Sequence, residues 1–157
     1  MPAPFPKSRM DSFRVLCVFC CVIALAYWII VCHGGWIWFA PLAGSCVIAF
    51  GQPESPMART RNMIGGHLCA FAVAAFMRSL MPHEGVAIVA ATCITFALML
   101  TLDCLHSPAG ATPACVCLST APLQETATVL GVGLGLTVVA QSIMKRIAKG
   151  RAHHSVE

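Results

Sequence analysis

Two short stretches, 67 residues apart, carry the side chains best placed to do chemistry. The first reads Pro41-Leu-Ala-Gly44-Ser45 and the second Pro108-Ala-Gly110-Ala111-Thr112. In each, a proline precedes a hydroxyl residue by four positions and a glycine lies between them. A Ser or Thr at a helix start bonds the first unpaired backbone N–H groups. The helix end there carries a partial positive charge of about half a unit. Glycine beside it lets a ligand approach the backbone. Two such ends, facing one another, would hold a small anion without a buried lysine or arginine. The competing reading is structural, because small residues also let helices pack closely.

Other polar residues flank these motifs. His67 and His106 each read in two ways. A free imidazole titrates near pH ~6.5 and would couple anion entry to protons; a neutral one would simply bond a backbone carbonyl in a tight loop. Arg61 either draws anions to the inner mouth or sets topology. Asn62 is a candidate N-cap, with Gly65 and Gly66 in the turns that follow. Asp103 can pair with Arg59 or Arg61. Arg78 stands alone near the far end of its apolar run, where it can snorkel. The ten cysteines lie almost entirely in apolar runs, where Cys acts as a small hydrophobe. Cys17 and Cys20 lack a second pair, and Cys32-His33 is the remaining metal-like pair, so no metal or cofactor is expected. No Ser/His/Asp set, H-E-x-x-H motif or nucleotide loop is present, which argues against an enzyme and against ATP-driven transport.

The elements that position these residues belong in a membrane. The chain has 157 residues, 58% hydrophobic and 10% charged, with a net charge of +4. Its mean hydropathy is +0.80. A soluble domain would carry about 25% charge. Apolar runs at 15–33, 63–81, 86–102 and 126–144 predict four full spans; at ~1.5 Å per residue most reach about 28 Å, near the thickness of a bilayer core. The runs 36–50 and 113–121 are too short for ordinary spans. A helix is expected to start at Thr112-Pro113, preceded by loop backbone from His106. Extended over about 20 Å, that loop and its short helix would cross as one discontinuous span.

Charge agrees with six crossings. Lys7, Arg9, Arg14, Arg59, Arg61, Lys145, Arg146, Lys149 and Arg151 would then share one side, the cytoplasmic one. Trp36 and Trp38 would sit in the outer aromatic belt. Three crossings per half make any repeat an inverted one, with halves at 15–81 and 86–144 between a tail at 1–14 and a basic tail at 145–157. The basic tail would touch anionic lipid.

Phe50-Gly-Gln-Pro-Glu-Ser-Pro-Met-Ala-Arg-Thr-Arg-Asn62-Met-Ile-Gly-Gly-His67, together with Leu105-His-Ser-Pro-Ala-Gly-Ala-Thr112, resembles the HPP family of small integral membrane proteins. The family's motifs are similar to G-A-S-A-V-L-L-F-x-x-P-x-S-P-x-A-Q-P-R-N-x-x-G-G-H and L-H-P-P-A-G-A-T-A. This chain departs at Ser107, at Arg59-Thr60, at Ala43-Gly44 and at Pro113. The resemblance implies a transporter-like role, with some plant and cyanobacterial members linked to nitrite movement.

The expectation is thus an all-α, polytopic bundle in a cell inner membrane. It would have four full spans, two discontinuous short helices and an inverted repeat. Gly44, Ser45, Arg61, Asn62, His67, His106, Pro108, Gly110, Ala111 and Thr112 are expected to line the path of a small inorganic anion. Its small size favours a homo-oligomer, and nothing suggests nucleic acid as a partner. The alternative is a non-transporting subunit or regulator of a larger complex.

Overall fold

Side chains sort themselves as they would in lipid rather than water. On the helix Glu84–Thr101 the buried positions are Ala87, Ala91, Thr95 and Met99, one per turn. Outward it shows Val86, Val89, Phe96 and Leu100, all more than half exposed. Small and polar groups face in and large apolar ones face out, the pattern of helices that pack by close approach in hydrocarbon.

The structure is a computed structural model that describes the backbone of residues 9–32 and 36–154 and the side chains of residues 13–28 and 37–147. Those residues form helices α1 (Arg9–Cys32), α2 (Phe39–Gly51), α3 (Thr60–Leu80), α4 (Glu84–Thr101), α5 (Thr112–Leu118) and α6 (Leu123–His154). Short 3-10 turns at Trp36–Trp38 and Ser107–Ala111 run straight into α2 and α5, and a third, Pro56–Ala58, precedes α3. Among the described residues, three stretches are long and apolar enough to cross a bilayer: Thr60–Leu80, Glu84–Thr101 and Leu123–Ile147. Phe39–Gly51 is a shorter apolar helix, and Phe13–Trp28 is the apolar part of α1 whose side chains are described. The far part of the expected first span, with Cys32 and His33, lies outside the described side chains.

The bundle has two distinct ends. At one, Val15 and Val18 of α1 pack with Phe50 of α2 and Met144 of α6. There too Gln141 of α6 donates to the Ala58 carbonyl at 2.7 Å, and Arg61 meets Asp103 at 3.5 Å. At the other end Arg78 donates to the Val116 carbonyl at 3.0 Å. The described residues Arg14, Arg59, Arg61, Lys145 and Arg146 thereby gather at the first end, as the positive-inside pattern requires. Short links reverse the chain between α3 and α4 at Met81-Pro82-His83, where proline ends helix growth. Helix α4 stops on a left-handed residue, Asp103, with φ 49°. The Cys104 N–H returns to Met99 O and the Asp103 N–H to Leu100 O, closing a Schellman motif.

Three expectations change. Helix α2 is continuous from Phe39 rather than restarting at Ser45. Pro41 falls in its first turn, where the missing N–H breaks no bond. The segment before Thr112 is a 3-10 turn rather than extended backbone. At ~2.0 Å per 3-10 residue and ~1.5 Å per α residue, this turn and α5 together reach only about 20 Å, roughly the length of α2. Trp38 is 1% exposed and packs in the core with Leu42 and Val116 instead of facing lipid; the Trp36 side chain lies outside the described residues.

Candidate functional site

Helix α2 turns Ser45 inward one turn after Pro41. Its hydroxyl lies 2.9 Å from the Pro41 carbonyl, the i−4 bond that a mid-helix serine makes when it caps nothing. Two imidazoles converge on the same oxygen. His67 Nε2, from the second turn of α3, stands at 2.9 Å. His106 Nε2, on the extended residue before the second 3-10 turn, also stands at 2.9 Å. The two rings lie 5.3 Å apart between centroids. The far nitrogen of each is also engaged. His67 Nδ1 is 2.8 Å from the Thr112 hydroxyl, and His106 Nδ1 is 2.8 Å from the Met57 carbonyl. Ser45, His67, His106 and Thr112 are all 0% exposed.

Glycine and alanine make this convergence possible. A Cβ on Gly44 would sit 3.2 Å from Pro108 Cβ, so the two motifs pack directly on each other. A Cβ on Gly66 would come within 3.0 Å of His106 Cβ and 3.3 Å of Ala109 Cβ. Gly66 therefore lets the His106 loop lie against α3. The same device recurs 67 residues on, where a Cβ on Gly133 of α6 would run into Leu42 of α2.

The expected residues thus divide. Ser45, His67, His106 and Thr112 come together, with Gly44 and Pro108 packed beside them. Neither hydroxyl caps a helix: Ser45 is mid-helix, and α5 has no side-chain cap bond. The reason is competition, since each hydroxyl is taken by an imidazole or by an i−4 carbonyl before it can turn to its own helix end. Gly110 has open space where a Cβ would go, and Ala111 is exposed. Asn62 does not cap α3; its amide donates to the Leu105 carbonyl at 3.3 Å and ties down the loop that carries His106. Arg61 is set apart, 67% exposed, donating to the Leu102 carbonyl at 2.9 Å and pairing with Asp103.

Sequence reasoning missed three buried polar groups. The Met57 carbonyl could not be found from side-chain type. Gln141 could have been, as an amide in an apolar run; it ties α6 to the Ala58 carbonyl beside Met57. Thr95 is 0% exposed and, among the described residues, its hydroxyl is the buried side-chain oxygen or nitrogen without a partner. Among those residues no cluster of His, Cys, Asp or Glu could hold a metal ion, and the described cysteines are free.

Comparison with known proteins gives a consistent identity. The family described as the HPP transmembrane region matches residues 4–154. A transmembrane protein of Dictyostelium discoideum is 38% identical over 74 residues, 45% of this chain and 26% of that protein. A second transmembrane protein of the same organism is 32% identical over 83 residues, 50% of this chain and 26% of that protein. The chain thus spans about a quarter of the length of these curated relatives. No solved structure matches.

Proposed function

This chain belongs to the HPP transmembrane-region family, a multi-pass integral membrane protein in contact with lipid, and from that premise we propose that it moves a small monovalent anion, nitrite-like in size, across a cell inner membrane. The observation that carries this reading is the buried Ser45–His67–His106–Thr112 cluster, in which α2, α3 and the turn leading into α5 meet. Polar side chains facing the interior of a membrane bundle are expensive to keep there and mark substrate or ion paths. The hydroxyl and imidazole side chains of the cluster, in place of helix ends, form the polar interior beside which the anion passes. Gly110, Ala111, Arg61 and Asn62 frame the approach rather than the centre.

The arrangement of the two halves supports a transporter. Each half runs long helix, short helix, long helix, and on this reading the second half is inverted relative to the first. The packing of Gly66 on Ala109 is repeated by Gly133 on Leu42 at the same 67-residue offset. Such inverted halves can rock about a central site and open it to either side in turn. The small size of the bundle favours a homo-oligomer. The greater length of the two relatives favours one other reading, a membrane module within a larger complex.

Purified protein in liposomes tests the proposal by influx of nitrite, sodium and a neutral solute. Nitrite influx above that of protein-free vesicles is expected. Silence toward nitrite, nitrate and chloride alike would instead support the subunit reading.

A further inference from the structure

Counting hydrogens in the buried cluster shows that it is one short. Five contacts hold it together: Ser45 Oγ to Pro41 O, to His67 Nε2 and to His106 Nε2, His67 Nδ1 to Thr112 Oγ1, and His106 Nδ1 to Met57 O. Each needs one hydrogen. A hydroxyl supplies one and a neutral imidazole supplies one, so Ser45, Thr112, His67 and His106 supply four. With both rings neutral, one contact must go without. The carbonyls of Pro41 and Met57 can only accept, which fixes where a fifth hydrogen would go. Filling both carbonyl contacts commits the Ser45 hydrogen to Pro41 and the first His106 hydrogen to Met57. The Ser45–His106 contact is then filled only by a hydrogen on His106 Nε2. All five contacts are made when His106 is an imidazolium and His67 is neutral, donating to Ser45 and accepting from Thr112.

We propose that this site binds one proton together with its anion, the proton on His106 Nε2, with the Ser45 hydroxyl as the switch. When the proton arrives, Ser45 stops donating to His106 and turns its hydrogen to the Pro41 carbonyl; when it leaves, Ser45 turns back. No covalent bond other than N–H is made or broken. The proposal rests on the anion reading above and adds the coupling to it.

The surroundings explain why proton and anion would travel together. An imidazolium in a buried site needs a counter-charge. The described carboxylates Glu54, Glu84, Asp103 and Glu125 are all exposed. Of the other titratable or charged groups on the packed elements, α2 contributes Cys46, which bonds the Thr137 hydroxyl at 3.3 Å. Helix α3 contributes Arg61, drawn off to Asp103 and Leu102, and Cys69, with Arg78 at its far end bound to Val116. The segment after α4 contributes Cys104, and α5 contributes Cys115 and Cys117, all buried. Lys145 and Arg146 lie at the inner end of α6. None supplies a negative charge to His106, which leaves that role to the transported anion. A monovalent anion and one proton make the loaded site neutral, the state that crosses a low-dielectric core most readily. The turn holding Met57 is half-buried at the basic end of the bundle, so the network begins within reach of that side.

The test uses full-length protein in liposomes, with nitrite as probe, protein-free vesicles subtracted, and a trapped pH dye inside. An inward proton gradient should drive nitrite uptake with about one proton entering per nitrite. The rate should not respond to a potassium diffusion potential. While the protonated form is the minor one, each unit of external acidification raises its share about tenfold, and uptake should rise accordingly toward a plateau. His106→Gln should lose the gradient drive by tenfold or more while eluting as folded protein; Ser45→Ala provides the second variant should His106→Gln not fold. Nitrite flux that follows the membrane potential without internal acidification would overturn the coupling and leave the anion reading standing. Absence of any protein-dependent nitrite flux would overturn the anion reading itself.

Discussion

Substitution of Gly66 by alanine isolates the close approach on which the site depends. A Cβ there would lie 3.0 Å from His106 Cβ, 3.2 Å from Met99 Sδ and 3.3 Å from Ala109 Cβ. Carbon atoms rest about 3.5–4.0 Å apart, so the His106 loop must retreat by about 0.5 Å. The 2.9 Å contact of His106 with Ser45 then lengthens to about 3.4 Å, past the useful range of a hydrogen bond. Losing a bond worth about 1.4 kcal/mol corresponds to about tenfold in rate. Stability responds differently. Alanine in a helix interior is worth about 1 kcal/mol over glycine, and overpacking costs about 1–3 kcal/mol, so the net is a loss of up to about 2 kcal/mol. Gly131 and Gly135 on α6 are the controls, because a Cβ there meets nothing within 4 Å; each should gain about 1 kcal/mol. Thermal unfolding in detergent should therefore rank Gly131→Ala above the parent and Gly66→Ala at or below it, and nitrite influx should fall only for Gly66→Ala. If Gly66→Ala stabilises as much as Gly131→Ala and keeps full influx, the contact is not needed and the reasoning fails.

Thr112→Ser should keep the bond to His67 and the influx, whereas Thr112→Val should reduce influx several-fold; equal influx for both would show that this hydroxyl only fills space. Thr95→Val preserves shape while removing a buried hydroxyl that has no partner among the described residues, so it should stabilise the fold by about 1 kcal/mol or more, read as a higher unfolding temperature; a drop would mean the hydroxyl is bonded in the membrane. Asp103→Gly relieves the left-handed conformation at φ 49° and gives up a solvent-exposed ion pair of little value, so stability should hold or rise by less than about 1 kcal/mol, read by the same melting assay.

The fold was legible where solvent decides. Apolar length identified α3, α4 and α6, and the doubled Pro-x-x-x-Ser/Thr pattern located the two motifs that do pack against each other at Gly44 and Pro108. The chemistry of the hydroxyls was legible only in part. Residue type singled out Ser45, Thr112, His67 and His106, which the fold brings together, but local capping rules could not foresee that imidazoles from α3 and the His106 loop would claim those oxygens. That competition is set by residues 22 and 61 positions away from Ser45. Trp38 was misplaced for a related reason: an aromatic near a helix end suits the lipid interface, and only the packing of Leu42 and Val116 around it shows that it faces inward. The Met57 carbonyl carries no sequence signal at all, because every residue has one.

Nitrite influx into vesicles holding equal amounts of folded parent or Ser45→Ala protein bears most directly on the buried cluster as the anion path. Ser45 is the atom on which both imidazoles converge, so its loss should cut influx at least tenfold while sodium and a neutral solute remain excluded by both proteins. Undiminished nitrite influx through Ser45→Ala, or sodium and neutral-solute influx in place of nitrite through the parent, would contradict it.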